Sequence, residues 1–315
     1  MIARLAAALA ALLLSGCAAF FTPPQTAALL AERPTDLPLT AERDEVPFYA
    51  QTRDHCGPAA LATVLADAGL PADPNRLADA VFLPSRAGSL QLEMLGGARR
   101  QGAVATRLPP ELQALLREVA AGHAVIVLQN LGLDFAPRWH YAVVVGYDLA
   151  QRELVLRSGT TRRQTLPLRT FEYTWARAGR WAIAVLPPDR LPATATEADA
   201  LDAAVGFERV APPGRAALAY RTLLARWPGN ALAGIGLGNT LHAADDAAGA
   251  SNAFEAVARQ HGSAVAWNNL ARLRLAAGDR TGARAAAERA VQRADAAEPA
   301  WRSAARATLA ATETQ

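Results

Sequence analysis

Cys56 and His140 are the residues of this chain best suited to covalent chemistry. Cys56 closes a polar loop, Gln51-Thr52-Arg53-Asp54-His55, and opens a run that places Ala60, Leu61, Val64 and Leu65 at helical spacing. The N–H groups exposed at a helix N-terminus favour negative charge, so a thiol held there ionises more readily. Gln51, just upstream, can reach back and donate its amide N–H to a developing oxyanion. This segment offers a nucleophile and half of an oxyanion hole, and lacks a base. His140 supplies one at the head of the apolar run Tyr141-Ala142-Val143-Val144-Val145-Gly146-Tyr147. A Cys and a His far apart in sequence, meeting only in the fold, follow the usual logic of cysteine hydrolases. A merely buried Cys and a structural His are the plainer alternative. The joint presence of a Gln-to-Cys helix start and a His-led strand favours catalysis.

Gln51, the run Cys56-Gly57-Pro58-Ala59-Ala60-Leu61 and the strand His140–Tyr147 together resemble the papain-like cysteine peptidases of the bacteriocin-processing (double-glycine leader) type. The resemblance spans about Val46 to Pro188. It implies Cys56 as nucleophile, His140 as general base and Gln51 as oxyanion donor. In that family an Asp, usually followed by Pro, orients the His from the next strand. Here that stretch, Leu154–Thr160, holds no Asp. Two neutral side chains are candidates for the task. Folding the hairpin about residue 150 sets 158 opposite 142, which puts Ser158 on the face of His140. Folding the preceding loop brings Asn130 beside His140, where it can accept from the imidazole Nδ1–H. Water or a backbone carbonyl can also serve. Asp148 lies roughly 26 Å along an extended strand from His140 and is out of reach. His55 reads as a polar loop residue, His123 as the residue leading into a strand, and His242 and His261 as surface residues.

The elements that must position these groups follow from periodicity and punctuation. The sequence predicts helices at Asp73–Phe82, at Ser89–Gly102 with Ser89 as N-cap, and at Pro109–Ala121. Antiparallel strands are expected at about 124–130, 139–147 and 153–160, with a last one at Trp181–Leu186. Helices first and sheet afterwards is an α+β order. Pro187-Pro188 and Leu191–Thr196 read as a linker over 189–198, closing a peptidase-like domain of 46–188.

Beyond the linker the composition turns to Ala, Leu and Arg, and a repeat appears. Ala216, Tyr220, Leu223 and Pro228 recur 34 residues later as Ala250, Phe254, Val257 and Gly262. Trp267, Leu270-Ala271, Ala283, Ala287 and Ala290 hold the matching places one repeat further on. Small residues where helices cross, at this period, resemble tetratricopeptide repeats. The resemblance implies an all-α helical repeat domain over 199–315, with three repeats in 199–294, a capping helix near 297–311 and a concave groove for a peptide or partner protein.

The amino-terminal end carries a targeting signature. Arg4 precedes an apolar run, Leu5–Leu14, too short to span a bilayer comfortably, and Leu14-Ser15-Gly16-Cys17 ends it. This resembles the lipobox of bacterial lipoproteins. It implies a signal peptide of 1–16, lipid on the Cys17 thiol and a membrane anchor. Ala18 rather than Asp after the Cys implies the outer membrane, facing the periplasm. Residues 17–45, Pro- and Ala-rich, read as a tether. With Cys17 acylated, Cys56 has no disulfide partner and is a free thiol in an oxidising compartment. Composition excludes other classes. All 32 basic side chains are Arg, so a P-loop of the usual kind and Schiff-base chemistry are ruled out. Those arginines are scattered among 29 acids, which argues against nucleic acid as a partner. No cluster has metal-ligand spacing and no cofactor is expected. The expected partners are a peptide or protein substrate and a protein in the repeat groove.

Overall fold

The structure is a computed structural model that describes residues 22–50 and 54–313. The chain divides into two compact units, 1–187 with 192–196, and 188–191 with 197–315.

In the first unit the helices come early and most of the sheet late. Helices α1 (Pro24–Ala31), α2 (Cys56–Asp67), α3 (Pro74–Val81), α4 (Gln91–Arg100) and α5 (Leu112–Ala120) precede four consecutive strands, β3 (Val125–Asn130), β4 (Trp139–Asp148), β5 (Glu153–Ser158) and β6 (Thr161–Pro167). Strand β1 (Thr40–Glu42), strand β2 (Val104–Arg107), helix α6 (Leu168–Ala176) and strand β7 (Ala182–Leu186) complete it. The strands run β2-β7-β3-β4-β5-β6, all antiparallel, with β1 pairing the far end of β4. Alternation along β4 feeds two cores. Tyr141, Val143 and Val145 pack with Leu61, Ala62 and Leu65 of α2, while Ala142 and Val144 pack with Leu115, Leu116, Phe171 and Trp175 of α5 and α6. Helix α2 lies deep in this arrangement, with Gly57 through Leu65 all buried. Gly146 is needed where β1 crosses, because a Cβ there would stand 2.9 Å from the Ala41 carbonyl oxygen.

Several expectations change. Residues 22–45 are not a tether. The carboxylate of Glu172, fully buried, accepts from the Gln25 N–H at 3.0 Å and from the Thr26 N–H and hydroxyl at 2.6 and 2.7 Å, and so holds α1 to the body of the unit. Ser89 does not cap α4. Leu90 is the N-cap residue, and the buried Ser89 hydroxyl makes no hydrogen bond. Strands β1, β2 and β6 and helix α6 have no counterpart in the sequence reading. Strand β6 is polar on most positions and exposed, so it carries little apolar alternation to detect. The linker is also held. Glu118, fully buried on α5, accepts from the Ala193 N–H at 3.1 Å and from the Thr194 N–H and hydroxyl at 2.6 and 2.5 Å.

The second unit is helical throughout: α7 (Glu197–Glu208), α8 (Pro213–Arg226), α9 (Ala231–Ala243), α10 (Ala247–His261), α11 (Ala264–Ala276), α12 (Arg280–Ala296) and α13 (Arg302–Ala311). Asn230, Asp246, Ser263 and Asp279 each cap the helix they precede by accepting from a backbone N–H three residues on. Where helices cross, small residues meet rings. A Cβ on Gly236 would lie 2.4 Å from Tyr220, and one on Gly238 would lie 2.5 Å from Phe254. Among the described residues no helix is long and apolar enough to cross a membrane.

Candidate active site

Cys56 is the first residue of α2, and His55 before it offers no side-chain cap. The orphan N–H groups of the first turn are therefore left for other acceptors. Gly57 is required at the next position. A Cβ there would stand 2.6 Å from Ser89 Oγ and 3.1 Å from Met94 Sδ. That contact lets the start of α4 close over the first turn of α2. The Tyr141 hydroxyl fastens the same corner by donating to the Ser89 carbonyl at 3.2 Å.

The thiol meets the sheet at the residue after His140. Burial pushes the Cys56 thiol up, while backbone hydrogen bonding from Tyr141, Gly57 and Cys56 itself pulls it back without reversing the shift. The Asp54 charge adds to the rise. Burial and the charge of Cys56 in turn push the Tyr141 phenol up. So the two segments that carry Cys56 and His140, 84 positions apart in sequence (140 minus 56), converge at one corner of the fold.

His140, the second residue of β4, lies directly opposite Gln129, with its ring Nε2 2.9 Å from Ser158 Oγ. Strand register explains the contact. Val143 pairs with Arg157 and Val144 with Leu156, so Ser158 continues along the face that His140 occupies. In the tautomer whose Nε2–H donates to the hydroxyl, Nδ1 is the nitrogen open to a proton. Burial and then the Arg138 charge push the imidazole down. Both shifts favour the uncharged pair, a thiol and a neutral imidazole. A hydroxyl fixes the ring but adds no negative charge that would stabilise imidazolium.

The structure corrects the expectation for Asn130. That residue lies opposite Trp139, one position off His140, and its Oδ1 accepts from the Gly132 and Arg138 N–H groups at 2.9 Å each. Its carboxamide closes the β3–β4 hairpin and turns away from the imidazole. Asp148 caps a turn at the far end of β4 by accepting from the Gln151 N–H. His55 stacks on Phe82, with ring centroids 4.9 Å apart. His123 donates from Nδ1 to Glu118 at 2.7 Å. Gln51 and Cys17 lie outside the described residues. Among the described residues no group of His, Cys, Asp and Glu is placed to hold a metal ion.

One supporting residue escaped the sequence reading. Arg157, almost fully buried beside Ser158, donates to the carbonyls of Val46, Asp44, Arg43 and Arg162 at 2.8 to 3.3 Å. It ties the chain running toward the Cys56 loop to the strand that carries Ser158. An Arg directly after the apolar run Leu154-Val155-Leu156, at the phase of the inward-facing Val155, was the available signal.

Residues 43–183 match the family model described as Peptidase_C39 like family, which makes this part of the chain a C39-peptidase-like domain. Solved structures similar to the chain include a C39-like peptidase from Bacillus anthracis, 19% identical, with 47% of this chain and 97% of that one covered and a TM-score of 0.40. Another is a double glycine motif protease from an AMS/PCAT transporter in complex with the leader peptide, 21% identical, with 48% and 96% covered and a TM-score of 0.34. No curated protein matches the chain.

Proposed function

We propose that the chain is a lipid-anchored cysteine peptidase of the cell envelope, fixed to the outer membrane through Cys17 and facing the periplasm. The observation that carries the enzymatic part is the corner where the helix that starts at Cys56 packs on the strand of His140, whose ring is set by Ser158. In the reaction His140 takes the proton from Cys56 as the sulfur attacks a peptide carbonyl. The Cys56 N–H and the Gln51 amide hold the oxyanion, the imidazolium returns its proton to the leaving amine, and water then releases the acyl group. The helical unit is read as tetratricopeptide-like repeats that dock a protein partner or the substrate.

A second reading is favoured by a specific observation. A hydroxyl stands where the resemblance implies an acid, and the thiol is pushed up. A binding scaffold with a weak or silent Cys–His pair fits these two facts. Labelling with a thiol-directed epoxide probe, paired with peptide hydrolysis, separates the two. A peptidase gives His140-dependent labelling at Cys56 and cleaved peptide. A scaffold gives neither, and Cys56→Ala then leaves the peptide profile of the envelope unchanged.

A further inference from the structure

Four large apolar side chains stand exposed on the short β3–β4 hairpin: Leu131 at 44%, Leu133 at 56%, Phe135 at 85% and Trp139 at 57%. Single exposed apolar residues are ordinary, but a group of them on one projection marks a surface that meets an apolar phase or partner. The hairpin is firmly built. The Leu131 N–H donates to the Arg138 carbonyl at 2.8 Å, the Ala136 N–H donates to the Leu133 carbonyl at 3.0 Å, and Asn130 Oδ1 clasps the base. Gly132 lets the arms close, because a Cβ there would meet the Ala136 carbonyl oxygen. The apolar groups lie on both faces. Leu133 pairs with Ala136 and Leu131 stands opposite Arg138, whereas Trp139 pairs with Asn130, the neighbour of Leu131, and so takes the other face. Asp134 and Arg138 balance one another in charge, and Arg177 adds a positive charge at the base, where it donates to the Asn130 carbonyl at 2.9 and 3.3 Å.

Helix α6 sets this hairpin beside the amino-terminal entry of the chain. Its Thr174 hydroxyl accepts from the Gln129 amide at 2.6 Å, next to the Arg177 contact, while its Glu172 holds the start of α1. Glu172 and Arg177 are about 7.5 Å apart along the helix axis. Cys17, outside the described residues, precedes Pro24 by seven positions (24 minus 17), at most about 25 Å of chain. We infer that the β3–β4 hairpin seats in the surface of a phospholipid bilayer, as a second membrane contact beside the anchor. The inference rests on the lipid-anchor reading and not on the peptidase reading. Lipid surrounds a projection and so satisfies apolar groups on both faces, whereas a groove in a protein partner or a second copy covers one. A Trp near an arginine-bearing base, with Leu and Phe beyond it, also matches the layering of a membrane interface, where guanidinium meets phosphate and apolar groups lie deeper. Trp139 adjoins His140, so the seated hairpin holds the Cys56–His140 corner at the lipid surface.

The test uses the full chain with Cys17→Ser and Cys56→Ala, so that an added thiol is unique, and vesicles of phosphatidylethanolamine and phosphatidylglycerol. An environment-sensitive fluorophore is placed at Phe135→Cys or, past the far end of β4, at Gln151→Cys. On vesicles the label at 135 should shift to the blue and be quenched by spin-labelled lipid, while the label at 151 stays as in water. In the unlabelled chain, Leu133→Asp with Phe135→Asp should lower partitioning in vesicle flotation by at least about tenfold, with an unchanged circular-dichroism spectrum, as loss of two apolar contacts requires. The intact mass of wild-type protein reports acylation of Cys17 separately, so failure of the anchor reading is not mistaken for failure of the hairpin. A water-like label at 135 on vesicles, equal signals at 135 and 151, or unchanged partitioning of the double Asp variant would each overturn the inference. A blue shift at 135 that grows with protein concentration in the absence of lipid would overturn it in favour of a second copy of the chain.

Discussion

Two histidines of the first unit meet hydrogen-bonding partners of different charge. His123 donates to Glu118, a fully buried carboxylate that also gathers the Ala193 and Thr194 N–H groups. Among the described residues His140 meets a hydroxyl, Ser158 Oγ at 2.9 Å. Burial raises the Glu118 carboxyl, but hydrogen bonds from His123 and Thr194 outweigh it and hold the group below the ordinary range. Around His140 nothing offsets burial, and the ring is pushed down. A fold able to bury an ionised carboxylate beside one His has left the other with a neutral partner. The anion serves architecture, by pinning the linker. The hydroxyl serves orientation, and leaves a neutral ring able to accept a proton.

The largest expected effect tests whether the second histidine acts chemically at all. A positioned general base contributes about a hundredfold or more. His140→Ala should therefore lower the rate of epoxide labelling at Cys56 by about that factor, and Cys56→Ala should abolish it. If His140→Ala labels like wild type, the contrast between the two histidines reduces to a difference in packing and the scaffold reading takes over.

Next is the architectural histidine. In Glu118→Gln one acceptor oxygen becomes an N–H₂ that faces a backbone donor. Breaking a buried charged network in this way costs about 3 kcal/mol, seen as a fall in melting temperature of several degrees. Labelling of folded Cys56 should not change. The pH dependence has a definite sign. A carboxylate held below its unfolded range contributes stability above about pH 4.3, and that stability is lost as pH falls through the lower folded value. Thermal melts from pH 7 down to 3 should show this loss in wild type and a flatter curve in the variant. A parallel pair of curves would remove Glu118 from the network.

The same contrast explains what was legible in the sequence. The place of Cys56 at a helix start, that of His140 near a strand start and the face of Ser158 follow from local rules of periodicity and punctuation. The 34-residue spacing of Tyr220 and Phe254 likewise marked positions that both receive glycines of α9, the helix between those that carry the two rings. Glu118 and Glu172 were not legible. Each serves backbone N–H groups at least 75 positions away, and no local pattern announces such a pairing. Asn130 failed by one register position, because a hairpin folded on paper does not reveal that its first residue closes the loop.

Ser158 sharpens the comparison by conversion. Ser158→Asp gives His140 an anionic partner, which should raise the imidazole pKa and lower that of the thiol with which it shares a proton. In wild type, alkylation of Cys56 should rise on the alkaline side of an ordinary thiol, near pH 8.5, since burial pushes it up. In the variant that rise should move down by about one pH unit, a gain of about tenfold at pH 7. Ser158→Ala should lose about threefold by freeing the ring. An unshifted profile in Ser158→Asp would show that the hydroxyl in the structure is not a working partner of the base.

The smallest expected effect concerns Asn130, and it decides whether Ser158 alone orients the imidazole. Asn130 Oδ1 accepts two backbone N–H groups of its own loop, so Asn130→Ala removes both contacts at a net cost of about 1 to 2 kcal/mol in stability. Its carboxamide oxygen is turned into the hairpin, so labelling at Cys56 should fall by less than about twofold. Asn130→Asp separates the two roles. A carboxylate keeps both acceptor contacts, so stability should recover, while a residue that touched the imidazole would also move the alkylation profile toward lower pH. The expected outcome is recovered stability with an unmoved profile. A loss of labelling in Asn130→Ala as large as in Ser158→Ala, or a shifted profile in Asn130→Asp, would give the imidazole a second partner and break the division between a hairpin clasp at Asn130 and a ring partner at Ser158.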